Sequence, residues 1–88
     1  MQNHVKVYLK HFNLTTADTI LCQVCQSVAI DVHHLIPRSK FGSKRKHEQD
    51  SIENLIALCR TCHEKAHAGI LTKEYLKEIH NKKLNGNN

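Results

Sequence analysis

Tryptophan is absent, and only four of the 88 residues are Phe or Tyr. With 40% of the chain hydrophobic, a domain this small buries too little apolar surface to be held by packing alone. A second staple, metal or disulfide, is expected. Long apolar runs are missing too. The longest are about five residues, against the roughly 20 needed to span a bilayer. Met1 to Leu9 carries Gln, Asn, His and Lys where a signal peptide would place an apolar segment. The expectation is a soluble, cytoplasmic protein of a reducing compartment. There are no internal repeats and no low-complexity stretch beyond the polar end at residues 81–88, read as a tail to a single domain over residues 1–80.

What the chain does have is cysteine, histidine and positive charge. There are four Cys, eight His, and 13 Lys and Arg against 8 Asp and Glu, a net charge of +5. The charge favours a polyanionic partner, though a solvated basic surface has the same composition. Eight histidines point to metal binding, acid–base chemistry, or both.

Val5, Tyr8, Leu9 and Phe12 recur at helical spacing, so residues 3–12 read as an amphipathic helix with Asn3 as N-cap. The apolar face is core. His4 and His11 have no partner at metal-ligand spacing and are expected on the surface. Cys22-Gln23-Val24-Cys25 and Cys59-Arg60-Thr61-Cys62 are two C-x-x-C pairs. In a reducing compartment such pairs read as one four-cysteine zinc site, with disulfides or free thiols as the alternatives. Thirty-three residues lie between the pairs, enough for an inserted element.

That element begins with a Val- and Ile-rich stretch, Val28 to Ile36, ended by Pro37. Alternation places Asp31, His33 and Leu35 on one face and Val32, His34 and Ile36 on the other. Leu55 to Leu58 reads as its antiparallel partner, and Cys62 to Ala68 as a helix stopped by Gly69. Between the strands, Arg38, Lys40, Lys44, Arg45 and Lys46 make a basic loop suited to phosphate contact. Thr72 caps a last helix with Tyr75, Leu76 and Ile79 on one face, and His80 reads as ordinary.

Four imidazoles gather on this element. His63 and His67 are four apart on one helical face. His33 and His34 are adjacent on a strand and point oppositely, so one is a candidate ligand and the other is free. Three imidazoles on a divalent ion leave positions open for water and substrate, the mark of a catalytic site. The free imidazole suits a general base at neutral pH. Asp31 shares a face with His33 and is a candidate to orient an imidazole from behind.

Asp-x-His-His-x-x-Pro followed by Asn-Leu-Ile-x-Leu-Cys-x-x-Cys-His-x-x-x-His resembles the HNH endonuclease family, of the type with a four-cysteine zinc site. The likeness runs from Cys22 to His67, and the lead-in before Cys22 is similar to small free-standing phage-type members. The resemblance implies a small α+β fold: a ββα-metal motif set between two zinc knuckles, with flanking N- and C-terminal helices. It implies that His34 is the base that activates water, His33 and His63 are metal ligands, and His67 is a further ligand or phosphate contact. It implies that Asn54 fixes the loop and thereby the base. The implied activity is metal-dependent hydrolysis of DNA, leaving 5′-phosphate and 3′-hydroxyl ends and nicking as a monomer. Arg60 and Lys65 are candidate phosphate contacts. An imidazole site suits Mn²⁺, Ni²⁺, Co²⁺ or Zn²⁺, with Mg²⁺ allowed where phosphate oxygens complete the shell. DNA is the expected partner and no membrane is. A homodimer, or a larger phage or mobile-element complex, is needed for double-strand cutting. The competing functions are a non-catalytic zinc module that binds nucleic acid and an accessory subunit of a larger nuclease or packaging complex.

Overall fold

Leu55-Ile56-Ala57-Leu58 is an uninterrupted apolar run, and such a run needs cover on both faces. In a computed structural model, which describes residues 2–37, 40–42 and 48–86, it forms strand β2 (Leu55–Leu58), all four residues at 0% exposure. It pairs antiparallel with β1 (Asp31–His34). The register sets Asp31 against Leu58, Val32 against Ala57, His33 against Ile56 and His34 against Leu55. The expected strand from Val28 is thus shorter as a regular element, and Val28 instead bridges Leu21.

Successive β1 side chains alternate between faces, and each face has its own cover. Helix α1 (Asn3–His11) lies on the first, where Tyr8 packs with Val32, Leu55 and Ala57, flanked by Val5, Phe12 and Ile20. Helices α2 (Arg60–His67) and α3 (Lys73–Leu84) cover the second, where Leu35, Ile56 and Leu58 pack with Cys22, Cys59, Cys62 and Leu76. A short 3-10 turn, Ile52–Asn54, leads into β2. The architecture is the expected small α+β fold, with β1, β2 and α2 forming a ββα unit and four cysteines at its margins. No helix among the described residues is long and apolar enough to cross a membrane.

The helix ends follow local chemistry. The Sγ of Cys59 accepts from the Cys62 N–H at 3.4 Å, so a cysteine caps α2. At the other end the Ile70 N–H reaches the Lys65 carbonyl at 2.9 Å and the Gly69 N–H the Ala66 carbonyl at 3.2 Å. Gly69 sits at φ +78°, where a glycine closes the helix without steric cost. Thr72 caps α3 by accepting from the Tyr75 N–H.

Three expectations are corrected. Asn3 is the first helical residue rather than the cap. Gln2 precedes the helix without a side-chain cap, and the Asn3 amide donates to Asp50 at 3.0 Å. His4 is 4% exposed, because it stands one turn before Tyr8 and shares its inward direction. On α3 the inward residues are Leu76 and His80, while Tyr75 is 48% exposed.

His80 belongs to a buried relay. Its Nε2 donates to the Ile52 carbonyl at 2.6 Å, and its Nδ1 accepts from the Gln23 amide at 3.1 Å. The Gln23 oxygen accepts from the Tyr8 hydroxyl at 2.6 Å. The Gln23 backbone N–H donates to the Ala57 carbonyl at 3.0 Å. A glutamine inside the first C-x-x-C turn thereby ties α1, β2 and α3 together. Among the described residues every buried side-chain polar atom has a partner, as the cost of burying an unpaired one requires.

Candidate active site and metal centres

Cys22 and Cys25 flank a tight turn in which the Cys22 N–H donates to the Ser27 carbonyl at 2.7 Å and the Gln26 N–H to the Cys22 carbonyl at 3.0 Å. Cys59 and Cys62 stand at the start of α2. One sulfur from each of the four lies within 4.8 Å of the others, and Cys25 and Cys59 are 3.5 Å apart. Zinc–sulfur bonds of about 2.3 Å set tetrahedral sulfurs about 3.8 Å apart, whereas a disulfide needs about 2.05 Å. The four cysteines therefore fit a structural metal such as zinc. Hydrogen bonds from Ser27 hold the Cys25 thiol down at about 6, and burial pushes the Cys62 thiol up.

On the α2 face of the sheet, His33, His63 and His67 come together with one ring nitrogen each within 4.8 Å of the others. The Nε2 atoms of His63 and His67 are 3.0 Å apart, and the His33 ring lies 5.1 and 5.5 Å from theirs. Two of these candidate ligands sit one turn apart on one helix, and the third comes from the strand beneath it. Burial, then the two neighbouring imidazoles, lower the His33 pKa to about 4. Its ring is neutral near pH 7, with a lone pair available to an ion. The Asp31 carboxylate stands 3.7 Å from Nδ1 of His63, on the side away from the ring nitrogen that meets His67.

His34 points to the other face. Its Nε2 lies 2.8 Å from Oδ1 of Asp50, with the two side chains 13% and 14% exposed. The His4 ring packs on it at 4.6 Å. Just past the strand, Asn54 clamps the backbone. Its Oδ1 accepts from the Ile36 N–H at 2.7 Å, and its Nδ2 donates to the carbonyls of Ile36 at 3.1 Å and Gln49 at 2.9 Å. Its own carbonyl accepts from the Leu35 N–H at 2.8 Å. One buried side chain thus fixes the exit of β1 and, through Gln49, the residue that precedes Asp50.

The structure brings the four cysteines together as one group and His33, His63 and His67 as another, and it sets His34 on the opposite face of the sheet with Asn54 at the strand exit. Among the basic residues, Lys40, Arg60 and Lys65 are exposed, while Arg38, Lys44, Arg45 and Lys46 lie outside the described residues. Asp50 is not legible in the sequence as a site residue. Its one sequence signal is position: it follows Gln49, whose carbonyl the motif asparagine holds. His4 is legible only as a residue one turn before a core tyrosine.

The family model for HNH endonuclease matches residues 22–69, more than half of the chain. Among curated proteins, the chain is similar to anaredoxin of Nostoc sp. (strain PCC 7120 / SAG 25.82 / UTEX 2576), 37% identical over 68 residues, covering 77% of this chain and 80% of that protein. No solved structure matches.

Proposed function

Because this chain belongs to the HNH endonuclease family, we propose that it is a metal-dependent endonuclease hydrolysing DNA phosphodiester bonds. One observation carries the reading. Three imidazoles converge on one face of β1, and the adjacent His34 is kept out of that group, with one of its nitrogens engaged by a carboxylate.

A carboxylate only accepts, so Asp50 calls for the proton on His34 Nε2 and leaves the lone pair at Nδ1. Nδ1 takes the proton from the attacking water as its oxygen reaches phosphorus. Asp50 orients the ring, and Asn54 fixes the backbone that carries it. His33, His63 and His67 would hold one divalent ion, Mn²⁺, Ni²⁺, Co²⁺, Zn²⁺ or Mg²⁺. Such an ion supplies charge stabilisation for the phosphate and the leaving 3′ oxygen. Asp31 orients His63 from behind. Cys22, Cys25, Cys59 and Cys62 hold a structural zinc. The basic loop, with Arg60 and Lys65, contacts phosphates. One such site cuts one strand, so the monomer nicks.

The test is supercoiled-plasmid cleavage with each metal in turn, beside His34→Ala of verified fold and zinc content. Nicking by the wild type and not by the folded variant supports both the activity and the base. Silence of the wild type with every metal, while DNA is still bound, replaces this reading with that of a binding module or accessory subunit. Equal cutting by both removes His34 from the mechanism.

A further inference from the structure

His4, His34 and Asp50 are a third set of metal-type donors, and they come from three separate parts of the chain: α1, β1 and the turn before the 3-10 segment. One donor atom from each lies within 4.8 Å of the others, the same closeness found in the cysteine cluster and the imidazole trio. All three side chains are largely shielded, His4 at 4% exposure and the other two near one-seventh. The two rings are 4.6 Å apart and tilted by 49°, so they do not stack flat. Asn3 donates to Oδ2 of Asp50 while Oδ1 faces His34, which turns one carboxylate oxygen toward the imidazole. Two imidazoles and a carboxylate are a common zinc donor set, with the fourth position left for water.

We propose that His4, His34 and Asp50 form a second histidine-based metal site, selective for Zn²⁺-type ions, and that filling it silences the nuclease. Binding itself does not depend on the proposed activity; the silencing rests on the role of His34 given above. Zinc bonds of about 2.0–2.1 Å to nitrogen and oxygen set tetrahedral donors about 3.3 Å apart. The 2.8 Å pair of His34 Nε2 and Asp50 Oδ1 therefore opens by about half an ångström to admit the ion.

The consequence for catalysis follows from where the ring proton goes. Coordination at Nε2 uses the lone pair there, so the single proton of the neutral ring moves to Nδ1. Asp50 exchanges the ring N–H for the metal. His34 then has no lone pair left for water. Mg²⁺, which prefers a shell of oxygens and holds its waters, does not compete for two imidazoles. Cleavage supported by Mg²⁺ or Mn²⁺ is thus expected to be switched off by added Zn²⁺, at a place other than the ion-holding trio.

Binding is measured on the full chain with its cysteine-held zinc in place, in a His63→Ala/His67→Ala background that disables the trio. Equilibrium dialysis against Zn²⁺ is expected to show one exchangeable ion per chain. Adding His4→Phe, which keeps a ring in the buried position, is expected to weaken it at least tenfold. No exchangeable ion, or unchanged affinity after His4→Phe, overturns the site. Should His4→Phe fail to fold, ring ¹⁵N spectra of the parent chain decide instead. Zinc must move the His34 proton from Nε2 to Nδ1 and shift the His4 ring, and a spectrum left unchanged by zinc overturns the proposal. In the chain with the trio intact, the Zn²⁺ concentration that halves Mg²⁺-supported cleavage should rise at least tenfold on His4→Phe, each protein referred to its own uninhibited rate. Zinc that binds this site without slowing cleavage upholds the site and overturns the silencing. A wild type that never cleaves defeats the nuclease reading, while dialysis still decides the site.

Discussion

His33 and His34 are neighbours in the chain and belong to opposite faces of the sheet, and the two faces are built differently. His33 meets two imidazoles carried one turn apart on α2, and the His63 side chain is 24% exposed. His34 lies under α1, is 13% exposed, and touches donors from two further segments. One face carries a donor group from two adjacent elements, β1 and α2, with an opening to solvent. The other is a closed contact that exists only when α1, β1 and the Asp50 turn are all in place. Strand alternation places two imidazoles side by side in sequence without letting them share a ligand set. They remain electrically aware of each other: the His34 ring contributes, as the smallest of the causes, to the lowering at His33.

The largest expected effect abolishes the comparison altogether. Cys22, Cys59 and Cys62 are part of the core beside Leu35, Ile56 and Leu58, and with Cys25 they fit a structural metal such as zinc. Cys59→Ser, or chelation with zinc release confirmed, is expected to unfold the domain. Circular dichroism and the melting curve check this, and an unchanged fold in zinc-free protein would remove the structural-metal assignment.

The next effect separates the faces. His63→Ala is expected to raise the metal concentration for half-maximal cleavage at least tenfold, with activity recovered as metal is added. His34→Ala is expected to leave that midpoint alone and lower the plateau by about 10²–10⁴-fold. Metal titrations of the two variants, side by side, read out the difference. If added metal rescues His34→Ala, the division between the faces is wrong.

Asn54 ties the exit of β1 to the turn that carries Asp50, and its loss is smaller. Asn54→Ala deletes three hydrogen bonds in a buried setting, a cost of about 2–4 kcal/mol by urea unfolding. Cleavage should fall with it, while metal binding by His63 and His67, which sit on α2, should not.

The smallest effect concerns His80. Its Nδ1 accepts and its Nε2 donates, so the native ring is neutral, and burial lowers its pKa. An unfolded histidine titrates near 6.5. Below that pH the unfolded chain takes up a proton that the native ring refuses, so stability falls as pH drops and rises as pH is raised through this window. Urea midpoints at pH 7.5 and 5.5 should show the fall, with zinc content checked at both. His80→Gln should make it shallower.

Most of the local design is written in short-range sequence features. Donor spacing, strand alternation, the Thr72 cap and the Gly69 stop are set by the 2.0 and 3.6 residue periods and by side chains that act on their own backbone. Those periods place His33 opposite His34 and align His63 with His67 in any chain that folds this way. The contacts between Asn3 and Asp50, between Gln23 and His80, and between His34 and Asp50 join positions 47, 57 and 16 residues apart. No periodicity marks them. A helix face shows that a residue points inward, as His4 does, without showing what it will meet there. Sequence spacing thus pairs Cys22 with Cys25, Cys59 with Cys62 and His63 with His67, whereas the packing of α2 on the sheet brings His33 to the two helix histidines. The surroundings of His34 were decided by how α1 and the Asp50 turn pack on β1, because burial forces their polar atoms to find partners wherever the fold brings them.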